Sequence, residues 1–242
     1  MSATKRMDEA EWRDCTDPQA LLEFLSGKAS DRKLRLLGVA FCRRIWKLIP
    51  AGPCREAVRV AERCADGLAT DKERRDVHNQ TAHCPDSARL AVVNAQCAVH
   101  YLNEKTAGKY PFFVTGVGAI AHAASDKYRS RKKSFPIYRA AYRAAERAEA
   151  RLVRCVFGNP FRPVRLDPAW LARGGDSLRA LAETLYEKRR LPGGTFDPCR
   201  VGELADALED AGCSNDTILS HLRGPGPHVR GCWVVDLLLG KV

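Results

Sequence analysis

The sequence predicts an all-α protein, an irregular bundle of about ten helices joined by short loops. Apolar residues recur every three to four positions in most segments, as on the buried face of a helix. Asp-Pro pairs that start helices and glycines that end them punctuate these segments. The sequence has no β-hairpin signal and no repeat of fixed period, which argues against β structure and against a regular solenoid.

The first half of the chain is predicted to contain six helices. Asp17-Pro18 starts a short helix, and Trp12 is expected to pack onto it. Ser30 caps a longer helix that runs to about residue 49. Further helices are predicted over residues 54–65, from Asp71, from Pro85 and over residues 112–124. The last of these is also compatible with a strand, because a short apolar run is ambiguous.

The second half is predicted to begin with a long Ala/Arg helix over residues 134–156, ended by Gly158. Asp167-Pro168 then predicts a short turn carrying Trp170, and a helix follows that is capped by Asp176. Two more helices are predicted to start at Asp197-Pro198 and at Asn215. Residues 229–239 are predicted to form a final, buried helix.

The length of 242 residues suits one large domain or two small ones. We predict a helical core over residues 1–156, with the basic helix at its end. Residues 157–242 are predicted to form a C-terminal helical subdomain that is rich in motifs. A single core shared by both parts is the alternative.

The formal net charge of +11 favours polyanionic partners, although an Arg-rich surface on an ordinary soluble protein explains it equally well. Most of the ten cysteines lie within apolar or helical patterns, which is typical of free thiols packed as small hydrophobes. Residues 1–13 are polar and charged, unlike a signal peptide, and no apolar run reaches membrane-spanning length. We therefore expect a cytoplasmic protein with no membrane association.

Several motifs carry a resemblance to a known family. They are FGNPFRP (residues 157–163), DPAWL (167–171), LADALEDAGC (204–213), GPHVRGCWVVDLLLG (226–240) and ASDRKLRL (29–36). In these motifs the chain resembles a family of hypothetical proteins abundant in planctomycete bacteria. The resemblance covers both ends of the chain, and residues 69–151 belong to the variable part. It implies a bacterial cytoplasmic protein and implies no activity.

A basic helix is the first candidate for function. Arginines spaced by four residues form a row on one side of the predicted Ala/Arg helix, and two lysines precede it. Such a row suits phosphate groups, so the sequence allows nucleic-acid binding. A solvated face is the alternative, since Glu146 and Glu149 interrupt the positive charge. The candidate residues are Lys132, Lys133, Arg139, Arg143, Arg147 and Arg151.

A Cys/His group is the second candidate. Cys213, His221, His228 and Cys232 are zinc-ligand types within a short span. Their spacing matches no zinc finger or ribbon, so the alternative is a structural turn, with His228 hydrogen-bonded and Cys232 in the core. A looser second group comprises His78, His83, Cys84, Cys97 and His100.

Catalysis has weaker support. No phosphate-binding glycine loop, nucleophile elbow or metalloprotease motif is found. Four carboxylates lie near His221 and His228 in sequence: Asp206, Glu209, Asp210 and Asp236. We therefore predict a non-catalytic adaptor that binds an unknown protein partner. The alternatives are a nucleic-acid-associated protein using the helix at residues 136–156, and a zinc protein or enzyme using the C-terminal Cys/His group, with zinc as the one cofactor considered.

Overall fold

The computed structural model describes residues 7–82 and 134–241, and within these ranges it confirms the all-α class. Ten helices are present there, with two isolated β-bridges and no strand. In the described parts of the chain no helix is long and apolar enough to cross a membrane. The helices are α1 (Glu9–Asp14), α2 (Pro18–Phe24), α3 (Asp31–Arg44), α4 (Pro53–Ala65), α5 (Asp71–Ala82), α6 (Ser134–Phe157), α7 (Pro168–Glu187), α8 (Pro198–Asp210), α9 (Asp216–Arg223) and α10 (Trp233–Leu239).

The chain divides into two compact units, Met1–Ala150 and Arg151–Val242. The division falls inside α6, whereas the sequence placed the boundary after residue 156. The predicted helices that start at Pro85 and at residue 112 lie outside the described residues.

The helix starts predicted between Asp17 and Asp71 are confirmed. Asp17 accepts a hydrogen bond from the backbone N–H of Gln19 at 2.9 Å, and Ser30 caps α3 in the same way. Trp12 is buried, with its ring centroid 5.8 Å from that of Phe24, as predicted. Helix α3 ends at Arg44 rather than near residue 49. Beyond Arg44 the chain continues in turns, in which backbone N–H groups donate to the carbonyl three residues earlier instead of four.

Helices α3, α4 and α5 pack around one apolar cluster in this unit, which includes Val39, Ile45, Val58 and Val77. Helix α4 contributes one strongly apolar side, which is the pattern expected of a helix that packs on a core. A buried ion pair between Arg43 and Glu62 links α3 to α4.

The C-terminal unit departs from prediction at α7. The sequence predicted a turn at Pro168 and a helix from Asp176, and this is wrong in one respect. Helix α7 already begins at Pro168, capped by Asp167, and continues through a kink at Gly175 to Glu187. Gly175 adopts a non-helical φ of 20° and ψ of −112°, so a kink at this glycine separates residues 168–174 from the helical segment that starts at the predicted Asp176.

Helix α10 is shorter than the predicted helix over residues 229–239. It begins at Trp233, because Val229 forms a β-bridge with Thr195 and Gly231 takes a positive φ of 87°. Residues 228–232 therefore form a turn that leads into α10. This turn carries two of the candidate metal ligands.

Gly158 provides a test of packing in this unit. It ends α6 with φ +64°, and an added Cβ would meet the Trp233 ring at 3.1 Å. We expect Gly158→Ala to lower the free energy of unfolding by about 1 to 3 kcal/mol, through backbone strain and the ring contact together. Gly240→Ala is the matched control, since Gly240 has φ +62° with nothing within 4 Å. Equal losses in urea unfolding would show that the Trp233 contact has no role.

Candidate metal centre

Four side chains of the C-terminal unit converge on one point. Cys155 comes from the last turn of α6, His221 from α9, His228 from the turn before α10, and Cys232 caps α10. One sulfur or nitrogen atom of each lies within 4.8 Å of those of the other three. The four residues form a set of two thiols and two imidazoles.

The distances suit a tetrahedral ion. His221 Nε2 lies 3.3 Å from Cys232 Sγ, and His228 Nδ1 lies 3.9 Å from the same sulfur. His228 Nδ1 is 4.0 Å from Cys155 Sγ. Zinc with bonds of about 2.3 Å to sulfur and about 2.0 Å to nitrogen has ligand–ligand edges of roughly 3.3 to 3.8 Å. Small movements of these side chains would therefore complete the coordination.

The end of α6 is held by its apolar neighbours. Leu152, Val153 and Val156 are all buried, so the last turns of the helix are fixed in the core of this unit. Cys155 lies among them with 3% of its surface exposed. Its position is therefore set by packing, which favours a pre-formed ligand over one recruited from a mobile segment.

Helix α9 is held by ion pairs at its C-terminal end. Arg223 donates to Asp206 at 2.8 Å and to Glu209 at 2.6 Å, and both carboxylates belong to α8. These two residues were candidates for acid–base chemistry, but they lie on the surface and hold Arg223. Asp210 is exposed, whereas Asp236 is buried in α10. The structure thus gives Asp206 and Glu209 a role in placing the helix that bears His221.

The turn that carries His228 is held by backbone contacts. The N–H of Phe196 donates to the carbonyl of His228 at 2.8 Å. Arg230 is buried, donates to the carbonyl of Tyr186 at 3.1 Å and lies over the Tyr186 ring. Gly226 has φ +67°, and a Cβ there would meet the backbone nitrogen of His228 at 3.2 Å. The Gly-Pro sequence therefore allows the chain to pass close to the histidine.

The electrostatics favour the metal-binding form of Cys232. Burial by itself raises the pKa of this thiol. The hydrogen bond from Cys155, the charge and hydrogen bond of His221 and the hydrogen bond of His228 together lower that pKa well below its usual value. Thiolate is the form that binds metals. His221 is half-buried and the other three ligands are buried, so the centre is nearly closed to solvent.

The group of four converging side chains differs from the predicted ligand set at one position. His221, His228 and Cys232 belong to it, and the fourth member is Cys155 instead of Cys213. Cys213 is buried just after α8, where its N–H donates to the carbonyl of Leu208 at 2.9 Å. Cys213 was predicted because it is close to the histidines in sequence. In the fold, the end of α6 places Cys155 beside His228, although the two residues are 73 positions apart. The sequence feature that could have indicated Cys155 is its position in the last helical turn before the FGNPFRP motif.

The other candidates are distributed over the surface or lie outside the described residues. Arg139, Arg143, Arg147 and Arg151 are all exposed on α6, and Lys132 and Lys133 lie outside the described ranges. Glu146 is half-buried, whereas Glu149 is fully buried and so does not interrupt the arginine row at the surface. Of the looser Cys/His group, His78 is half-buried on α5. The other four members lie beyond the residues that the structure describes.

A closed set of four protein ligands is typical of structural zinc, because catalytic zinc keeps one position open for water or substrate. The comparisons with protein families, with curated proteins and with solved structures find no match. The functional inference therefore depends on the geometry of the site itself.

Proposed function

We propose that the chain is a zinc-binding protein in which Cys155, His221, His228 and Cys232 hold one structural ion. The observation that carries this proposal is the convergence of their four ligand atoms within 4.8 Å. A set of two sulfurs and two nitrogens close enough for tetrahedral coordination favours zinc among the common metal ions.

The ion would connect three segments that are far apart in sequence: the end of α6, helix α9 and the turn before α10. Because the unfolded chain does not present these ligands together, the free energy of metal binding contributes directly to folding. The ligand set leaves no open position, which supports a binding protein over an enzyme. We accordingly propose an adaptor that binds a protein partner, with zinc as its structural cofactor.

A cytoplasmic location is part of this proposal. All eight cysteines in the described ranges are free thiols. Free thiols and a thiolate-based metal site are both stable in a reducing compartment, whereas secreted proteins usually form disulfides.

The direct test is elemental analysis of untagged protein purified without added metal. We expect one zinc per chain, and we expect a chelator to lower the free energy of unfolding. Metal-free protein that is folded and that neither binds added zinc nor gains stability from it would overturn the proposal.

Nucleic-acid binding is a second candidate, and the exposed arginines favour it. Arg139, Arg143, Arg147 and Arg151 recur at four-residue spacing along α6. Side chains four residues apart lie near one another on a helix, so the row follows one side of α6. The burial of Glu149 removes one negative charge from this surface. Guanidinium groups in such a row can bind successive phosphates.

If the row binds nucleic acid, the double variant Arg143→Gln/Arg147→Gln should bind duplex DNA more weakly. Two lost phosphate contacts should reduce the slope of log K against log salt by roughly 1.8. The control is Arg165→Gln/Arg200→Gln, which removes the same charge from exposed positions outside α6. Fluorescence anisotropy over a salt series measures both. Equal losses in the two variants, or no binding at low salt, would exclude the row as a nucleic-acid site.

A further inference from the structure

The two thiols of the candidate metal centre lie next to each other. The sulfurs of Cys155 and Cys232 are within 4.8 Å of one another, and they lie 4.0 Å and 3.9 Å from His228 Nδ1. A hydrogen bond joins the two side chains. A disulfide has an S–S bond of about 2.05 Å, so each sulfur has to move by at most about 1.4 Å to form one. The pair is therefore placed to form a disulfide as well as to hold an ion.

The other cysteines of the C-terminal unit are not placed to compete for this bond. The unit contains four cysteines, and only Cys155 and Cys232 belong to the converging group. Cys199 is exposed on α8, unlike the buried pair. Cys213 is buried after α8, where its N–H donates to the carbonyl of Leu208. Oxidation of the folded unit therefore has one favoured product.

Burial decides when the pair can react. Cys155 is 3% exposed and Cys232 is 0% exposed, so an oxidant reaches them only when this unit opens locally. Bound zinc opposes such opening, because it connects the end of α6, helix α9 and the turn before α10 and stabilises the closed state by mass action. The metal-free protein is therefore the form in which these thiols can be oxidised.

A disulfide and a zinc ion exclude each other at this centre. Zinc binds thiolates, and disulfide formation consumes both thiols of the set. The two imidazoles that remain are fewer than the three or four protein ligands of known zinc sites. The disulfide would keep the end of α6 linked to the start of α10, whereas His221 on α9 would lose its link to both.

We propose that Cys155 and Cys232 form a reversible disulfide when the protein lacks zinc, so that the centre alternates between a zinc-bound and an oxidised state. The inference rests on the proposed zinc site, because the ion is what keeps the pair reduced. In a reducing compartment such a disulfide is transient, as is usual for redox-sensing thiols. Oxidation thus prevents zinc binding and frees α9 from the centre.

The oxidant in this proposal is a hydroperoxide. The Cys232 sulfur attacks its terminal oxygen, the O–O bond breaks, and the thiol proton leaves with the second oxygen as an alcohol, or as water from hydrogen peroxide. His221 Nε2, 3.3 Å from this sulfur, is placed to carry that proton. The Cys155 sulfur then attacks the sulfenic sulfur, and the hydroxyl leaves with the Cys155 proton as water. The two thiols lose two electrons and two protons, and the hydroperoxide gains them.

The test treats full-length protein, stripped of zinc by a chelator, with hydrogen peroxide. Alkylation and peptide mapping by mass spectrometry identify the product. We expect one intramolecular disulfide between Cys155 and Cys232, loss of zinc uptake, and recovery of both thiols and of zinc uptake after dithiothreitol. Pairing with another cysteine, sulfinic acid at Cys232 without a disulfide, or oxidised protein that still takes up one zinc per chain would overturn the proposal.

Three controls accompany this measurement. Zinc-loaded protein should keep both thiols under the same treatment, and equal oxidation with and without zinc would contradict protection by the ion. Cys213→Ser should form the same disulfide as the unsubstituted protein. Oxidation in urea should give a mixture of pairings, because the unfolded chain sets no distance between the two sulfurs. The same mixture from metal-free protein without urea would show that the fold does not select the pair.

The zinc content of the untreated samples separates this inference from the proposed function. Stoichiometric zinc, with no disulfide between Cys155 and Cys232 after oxidation of the stripped protein, would overturn the redox pair and leave the metal centre standing. The disulfide in protein that never takes up zinc would overturn the zinc assignment, and with it the alternation of states, but would support the two cysteines as a redox pair.

Discussion

Cys155→Ser and Cys232→Ser are each expected to abolish stoichiometric zinc binding, whereas Cys213→Ser is expected to retain it. A hydroxyl is a poor substitute for a thiolate ligand, and three remaining ligands leave the ion open to water and to loss. Because metal binding contributes to folding, the two ligand variants should also lose several kcal/mol of unfolding free energy from the C-terminal unit. This is the largest effect that we expect of any single substitution in the chain.

Zinc per chain after dialysis, measured together with urea unfolding in the presence and absence of chelator, tests this prediction. Cys213→Ser is a matched control, since Cys213 is as buried as the ligands and lies near them in sequence. It should lose some packing stability and still respond to chelator like the unsubstituted protein. If Cys213→Ser loses zinc while Cys155→Ser keeps it, the assignment of Cys155 as the fourth ligand is wrong. If all three variants keep zinc, the ion binds elsewhere.

The second large effect is expected at Glu149, a carboxylate in the interior of the N-terminal unit. It is fully buried on α6, and among the described residues neither of its side-chain oxygens has a hydrogen-bond partner. Burial raises its pKa well above the usual value. The charge of Arg44, whose Nη1 lies 3.7 Å from Glu149 Oε1, lowers the pKa, whereas the charge of Glu146 raises it further. Burial, and to a smaller extent the charge of Glu149, raises the pKa of the Cys42 thiol on α3 to about 12.

A raised pKa in the folded state means that folding favours the protonated carboxyl. The contribution of Glu149 to the free energy of unfolding is therefore complete at pH values below the ordinary pKa that glutamate has in the unfolded chain. It falls as the pH rises from there towards the folded pKa, because the unfolded chain releases its proton first. Neutral pH lies above the ordinary pKa of glutamate, so part of this contribution to stability is already lost there.

We expect Glu149→Gln to raise the free energy of unfolding at pH 7 by about 1 to 3 kcal/mol, the scale of a buried polar group left without a partner. The loss of the attraction to Arg44 works against the gain but does not reverse it, since Arg44 retains partial contact with solvent. The gain should vanish below the ordinary glutamate pKa, where both proteins carry a neutral side chain.

Urea unfolding of both proteins between acid and neutral pH measures this effect. Glu146→Gln is the matched control on the same helix. Burial also raises the pKa of Glu146, but Glu146 is half-buried, so its gain should be smaller. A Glu149→Gln variant that is less stable than the wild type at pH 7 would show that the Arg44 interaction dominates.

Local hydrogen bonds explain why much of the helical framework could be predicted. Asp17, Ser30, Asp197 and Asn215 each cap a helix by accepting from an N–H two or three residues ahead. Such a contact depends on neighbouring residues and, at Asp17 and Asp197, also on the fixed φ of the following proline, so it is visible in the sequence. The same holds for Gly158, whose positive φ ends α6.

Tertiary contacts decided the features that prediction missed. Helix α10 starts late because Val229 bridges to Thr195 and Arg230 binds the carbonyl of Tyr186, and both partners are distant in sequence. Glu149 resembles a surface residue of an Ala/Glu/Arg helix, yet it is buried in the folded unit.

The candidate metal centre combines both kinds of information. The residue types and the close spacing of His221, His228 and Cys232 already indicated metal chemistry in the sequence. The choice of Cys155 over Cys213 required the fold, because it depends on where the end of α6 packs against a turn 73 residues away. Sequence determines chemistry and short-range conformation, whereas the distance between atoms of remote residues is set by the packing of whole helices.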